Sequence, residues 1–167
     1  KNGVPWALGL YRKMNATYDD VTWRVNFDFT PTEDDLVYFS ITTGYRAGGF
    51  NLGYFSPSSD YDNESLTSYE LGYKGQLLDG TLQVNASAYY YDYEDISLQF
   101  LESSIVGEGT SVSNAPGAVT IGAEVDILWL ATESLTIGGN YSFTKAEYDG
   151  EPLPAKQVVD TTNPYAP

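Results

Sequence analysis

The chain has 167 residues, a formal net charge of −15 and a pI near 4.1. Such acidity lacks the Lys and Arg that contacts to a phosphate backbone require, so nucleic acid is excluded as a partner. The absence of His and Cys removes Ser-His-Asp and Cys-His nucleophilic sites and the ordinary ligands of zinc, and leaves no disulfide.

The 15 Tyr, 7 Phe and 3 Trp make a chain rich in strand formers. The start, Lys1-Asn2-Gly3-Val4-Pro5-Trp6, has no apolar core of secretory-signal length. The longest strongly apolar run is Ile127-Leu128-Trp129-Leu130-Ala131. That is far short of the roughly 20 residues of a membrane-crossing helix, so a membrane role requires β-strands.

Period two dominates from residue 20 onward. Over 21–29, Val21, Trp23, Val25, Phe27 and Phe29 alternate with Thr22, Arg24, Asn26 and Asp28. This predicts a first strand over about 20–30 with one apolar face. Residues 30–35 form a short turn containing Pro31, and a second strand follows over 36–46 with Val37, Phe39 and Ile41 on the apolar side. Residues 47–67, with Gly48, Gly49 and Pro57, read as a long loop.

A third strand, 68–77, sets Tyr69, Leu71, Tyr73 and Leu77 against Glu70, Lys74 and Gln76. Asp79-Gly80 is a tight-hairpin signal. The fourth strand, 81–100, sets Leu82, Val84, Ala86, Ala88 and Tyr90 against Tyr89, Tyr91 and other polar positions. Its apolar face turns acidic at Asp92 and Glu94. Residues 101–116 read as loop. The fifth strand, 117–130, and the sixth, 135–148, repeat the alternation, and a Pro-bearing tail follows.

Short turns (30–35, 78–80, 131–134) alternate with long loops (47–67, 101–116, 147 onward). Transmembrane barrels have that asymmetry. The apolar face of the fourth strand spans about 9 residues, the length a tilted strand needs to cross hydrocarbon. Aromatic residues bracket this face: Phe27, Phe29, Phe39 and Trp129 toward the short turns; Trp23, Tyr45, Tyr69, Tyr90, Tyr141 and Phe143 toward the long loops. The expected fold is therefore all-β, an antiparallel up-and-down transmembrane β-barrel segment of about six long strands from a larger barrel. A soluble β-sandwich is the alternative in which the same faces are core.

Several runs resemble the barrel of TonB-dependent outer-membrane receptors. They are 21–29 and 36–51 with the specific Gly44-Tyr45-Arg46-Ala47-Gly48-Gly49-Phe50-Asn51, then 68–75, 114–125 and 140–148. The resemblance implies a partial receptor barrel domain over 1–167, in the bacterial outer membrane and in contact with its lipid. It implies an absent plug and remaining barrel as partners, energy through TonB, and active import of a large scarce solute such as a ferric siderophore, vitamin or glycan. A passive porin-type barrel is the runner-up.

No enzyme activity and no cofactor are expected. Asp92, Glu94 and Asp95 are the nearest thing to paired catalytic carboxylates, and the plainer reading is a solvated strand end. Asp60, Asp62, Asn63 and Glu64 bring oxygen ligands close together, as a Ca²⁺ site does, without the EF-hand pattern. Arg24, Asp28, Glu70, Lys74, Glu124 and Asp126 face the lumen, either as a docking surface or as a wall network. The ligand candidates are Tyr89, Tyr91 and Tyr93, a ladder of polar-tipped aromatics on the inner face, with Arg46 and Asn51 at the mouth of the neighbouring loop.

Overall fold

A computed structural model describes residues 14–51, 60–104 and 107–149. Its strands are β1 (Arg24–Thr32), β2 (Asp35–Arg46), β3 (Gly49–Phe50), β4 (Asp60–Tyr61), β5 (Glu64–Leu77), β6 (Leu82–Ser104), β7 (Gly107–Thr132) and β8 (Leu135–Asp149). Six of them form one sheet in the order β1-β2-β5-β6-β7-β8, each pair antiparallel. Strands β3 and β4 make a separate two-stranded sheet inside the expected loop.

The up-and-down order follows from the turns. Thr81 N–H donates to the Leu78 carbonyl at 3.2 Å, closing a four-residue turn around Asp79 and Gly80. Both central residues have positive φ, +58° and +80°. A type I′ hairpin demands this, and Asp and Gly tolerate it. Leu78 is also held at +54°, which is unusual for a residue of that shape.

The apolar alternation survives as continuous cross-strand rows. One runs Val25, Ile41, Tyr69, Tyr90, Ile121, and another Phe27, Phe39, Leu71, Ala88, Ala123, Phe143. No second sheet covers this face among the described residues: Phe27 is 62% exposed, Leu71 55% and Ile137 49%. The only buried apolar residues described are Ala115 and Ala118. A water-soluble protein does not leave so large an apolar face bare, whereas lipid covers it without cost. The sandwich alternative fails here, because its core residues are the exposed ones.

Register also corrects the aromatic grouping. Phe143 shares a row with Phe27 and Phe39, and Tyr141 shares one with Val125, Ala86, Tyr73, Val37 and Phe29. Position along one strand does not give height across a sheet, since rows perpendicular to tilted strands climb through the membrane. Tyr69 and Tyr90, paired in register with ring centroids 6.1 Å apart, stay together as one aromatic step.

Strand lengths differ from the expectation as well. β5 begins at Glu64, ahead of residue 68, and β6 and β7 stay paired up to Ser104↔Gly107, so most of 101–116 is strand. Above the membrane both faces are wet, so the apolar alternation that signals a strand disappears while the backbone ladder continues. At roughly 3.3 Å per residue β7 reaches about 85 Å, far more than the hydrocarbon thickness even when tilted. The tail expected from 147 is strand as far as Asp149, and 150–167 lie outside the described residues.

Candidate functional site at the lumenal face and outer mouth

The lumenal wall is organised by tyrosines lying flat over glycines. Tyr89 is the cross-strand partner of Gly122, and a Cβ added there would fall inside the Tyr89 ring. Lacking a side chain, the glycine leaves a slot that the phenol fills. The Tyr89 hydroxyl reaches the next strand and shares a 2.7 Å hydrogen bond with Thr144 Oγ1. Tyr91 stacks on Tyr89 with centroids 4.7 Å apart and 20° between planes. The first rungs of the expected ladder therefore lie along the wall as a stacked pair, and Tyr93 follows two residues later, half-buried.

The same device recurs lower on the wall. Tyr38 lies over Gly72, its register partner, and donates a 2.5 Å hydrogen bond to Glu70 Oε1. Lys74 Nζ sits 5.7 Å from the centre of that ring. Beside them is a groove of about 510 Å³, lined in part by Asn85, Ser87, Glu124 and Asp126. On β1, Arg24 donates to Asn26 at 3.4 Å, and Asn26 donates to Asp28 at 3.0 Å. Arg24, Asp28, Glu70 and Lys74 are thus engaged within the wall.

At the outer mouth, Arg46 pairs with Glu64 at 3.8 Å, its own side chain remaining 67% exposed. Glu64 also accepts the Ser97 N–H at 3.0 Å. Asn51 is 5% exposed, and its amide both donates to the Val112 carbonyl (2.8 Å) and accepts the Val112 N–H (2.7 Å). Asn114 accepts the Asp62 N–H (2.7 Å) and donates to the carbonyls of Asp62 (3.0 Å) and Asp95 (2.7 Å). Asp95 sits at φ +53°. Asn51 is therefore spent on structure, while Arg46 still presents most of its side chain.

Among the described residues, no group of three or more acids gathers as a metal cage. Asp60 lies in β4, the Asp62 backbone is tied to Asn114, and Glu64 turns to Arg46 and Ser97. Asp60, Asp62, Asn63 and Glu64, the calcium candidates of the sequence, thus lie on a segment tied to the neighbouring strands through the Asp62 backbone and the Glu64 side chain. Asp92 pairs with Thr67 and Val119, and Glu94 with Ser65 and Gly117. Both continue the outward rows above the apolar ones, as a solvated strand end. Asn114 was not among the sequence candidates. Its role depends on contacts to Asp62 and Asp95 that no local pattern announces.

A sheet with an apolar face open to lipid, a polar face with tyrosine-filled glycines and short turns at one end is an open piece of outer-membrane barrel. The chain belongs to the TonB-dependent receptor β-barrel family: residues 3–166 match the family described as TonB dependent receptor-like, beta-barrel. It is 31% identical over 140 residues to the pesticin receptor of Yersinia enterocolitica, covering 80% of this chain and 20% of that protein. It is 25% identical over 170 residues to the ferric-pyoverdine 358 receptor of Pseudomonas putida, covering 90% and 20%. In fold it is similar to the ferric yersiniabactin uptake receptor FyuA from Yersinia pestis, with a TM-score of 0.59 at 20% identity over 75% of this chain and 18% of that one. The copper transporter OprC gives a TM-score of 0.59 at 16% identity, covering 75% and 20%. The chain spans about a fifth of the length of these relatives. Its place is the bacterial outer membrane.

Proposed function

We propose that residues 1–167 are a wall segment of an outer-membrane active transport receptor for a large scarce solute. A ferric siderophore is the first choice, ahead of a vitamin or glycan. Import is energised through TonB, acting on a plug that belongs to the parent protein. The observation that carries the reading is the family match joined to relatives that are receptors for such solutes. The wall performs no covalent chemistry and needs no cofactor. Tyr91 and Tyr93, with Arg46 as charge partner, are the surface of this segment that a solute entering from outside meets, and Tyr89 backs them.

The test is uptake of radioactive iron by cells making the parent receptor, supplied as ferric pyoverdine or ferric yersiniabactin. Uptake is expected with intact TonB and is expected to vanish when TonB is deleted. Iron entry that persists without TonB would return the protein to the passive porin reading.

A further inference from the structure

Two of the sequence runs that resemble the family, 44–51 and 114–125, meet in space at the outer mouth, and each carries one half of a reciprocal contact. Asn51, from the loop, bonds both backbone groups of Val112 on β7. Asn114, from β7, bonds both backbone groups of Asp62 on the returning limb of that loop. A primary amide carries one donor edge and one acceptor, the same pair that a strand neighbour presents. Among the described residues β8 pairs with β7 as far as Gly117↔Asp149, and Asn51 bonds the backbone of β7 five residues away at Val112. Asn114 spends both its N–H groups and its oxygen, the second N–H on the Asp95 carbonyl.

The glycines between Arg46 and Asn51 allow the close approach. A Cβ on Gly48 would strike the Tyr61 carbonyl and lie 2.8 Å from the Asp62 carbonyl carbon and Tyr18 Cε1. A Cβ on Gly49 would enter the Tyr61 ring. One bridge alone leaves a hinge. Two bridges anchored two residues apart on β7, about 7 Å, fix both position and direction.

We propose that Gly48, Gly49, Asn51 and Asn114 form a clasp that joins limbs 47–51 and 60–63 to the β6–β7 hairpin as one unit. They are positioning residues: the clasp holds Arg46 and the hairpin in a preformed arrangement, so a solute has less to order on binding. The positioning role rests on the transport reading above, while the clasp itself does not.

The experiment uses the full-length receptor in detergent, as wild type, Asn51→Ala, Asn114→Ala and the milder Asn114→Ser, which keeps a hydroxyl donor. Backbone hydrogen exchange is followed in peptides covering 60–64 and 110–116. Removing Asn51, which cuts both its bonds to Val112, should accelerate exchange at 60–64 by at least about tenfold, the scale of a lost hydrogen bond. Unchanged exchange there would overturn the single unit and leave two independent tethers. A barrel that fails to fold is recognised by lost heat-modifiable migration, and Asn114→Ser then serves as the readable variant. In parallel, binding of ferric pyoverdine and ferric yersiniabactin should show half-saturation raised several-fold with unchanged maximal occupancy. Unaltered half-saturation would overturn the positioning role. A wild type that binds neither probe sinks the siderophore reading and the positioning role with it, and the exchange data still decide the clasp.

Discussion

Glycine has opposite meanings at two positions of this sheet, and the difference is measurable. At Gly122 an added methyl meets the Tyr89 ring and lies 2.7 Å from the Phe143 carbonyl, which is backbone and moves only with its strand. Gly122→Ala is expected to destabilise the barrel by about 1–3 kcal/mol, the usual scale of overpacking. At Gly139 nothing lies within 4 Å. There Gly139→Ala is expected to stabilise by about 0.4–1 kcal/mol, because it restricts the unfolded chain. Urea titration of the folded full-length barrel in lipid vesicles checks both signs. Tyr18 gives a pH prediction: burial, then the Asp60 and Asp62 carboxylates, push its phenol above the ordinary value of 10.0. Its O–H donates to the Tyr61 carbonyl at 3.4 Å, a bond a phenolate cannot make. That contact is complete below pH 10 and is lost as pH rises through the raised value. Phenolate absorbance of wild type against Tyr18→Phe should show one late-titrating tyrosine.

Strand faces were legible in the sequence wherever one side meets lipid, because lipid enforces alternation residue by residue. Val25, Leu71, Ile121 and Ile137 are exposed on the expected side. The faces make a paired prediction. Leu71→Arg, mid-belt, should cost about 2–4 kcal/mol of barrel stability, whereas Ser87→Arg on the lumenal side of β6, among Glu70 and Glu124, should cost little. Refolding yield into vesicles, read by heat-modifiable migration, compares them. What stayed hidden in the sequence lies above the membrane. The upper β6–β7 hairpin has Ser- and Gly-rich composition that reads as loop, yet its ladder continues. The Tyr–Gly pairs were invisible because Tyr89 and Gly122 become neighbours only once register is set. Asn51 stood out as a polar residue in a distinctive motif, but nothing local could show that β7 would claim its amide.

For the molecule as a whole, β1 and β8 each have a neighbour on one side only among the described residues. An open edge with an exposed apolar face invites further pairing. Residues 1–167 expressed alone are expected to aggregate, without the compact heat-modifiable form expected of the parent barrel, and gel migration with size exclusion decides it. A discrete soluble monomer would contradict the lipid-facing reading of the apolar rows.

The chain-order pairing of the large sheet also bears on how the wall is made. Every hydrogen-bonded neighbour in it is the next long strand in sequence. Loop-closure entropy is therefore met in small instalments: a few residues between β1 and β2, β5 and β6, β6 and β7, and β7 and β8, with only β2 to β5 demanding a long excursion. Local closure favours rapid formation of hairpins that then add edge to edge. The slow event should be the β2–β5 junction, where the chain must return from its longest detour before the two halves of the wall can zip together.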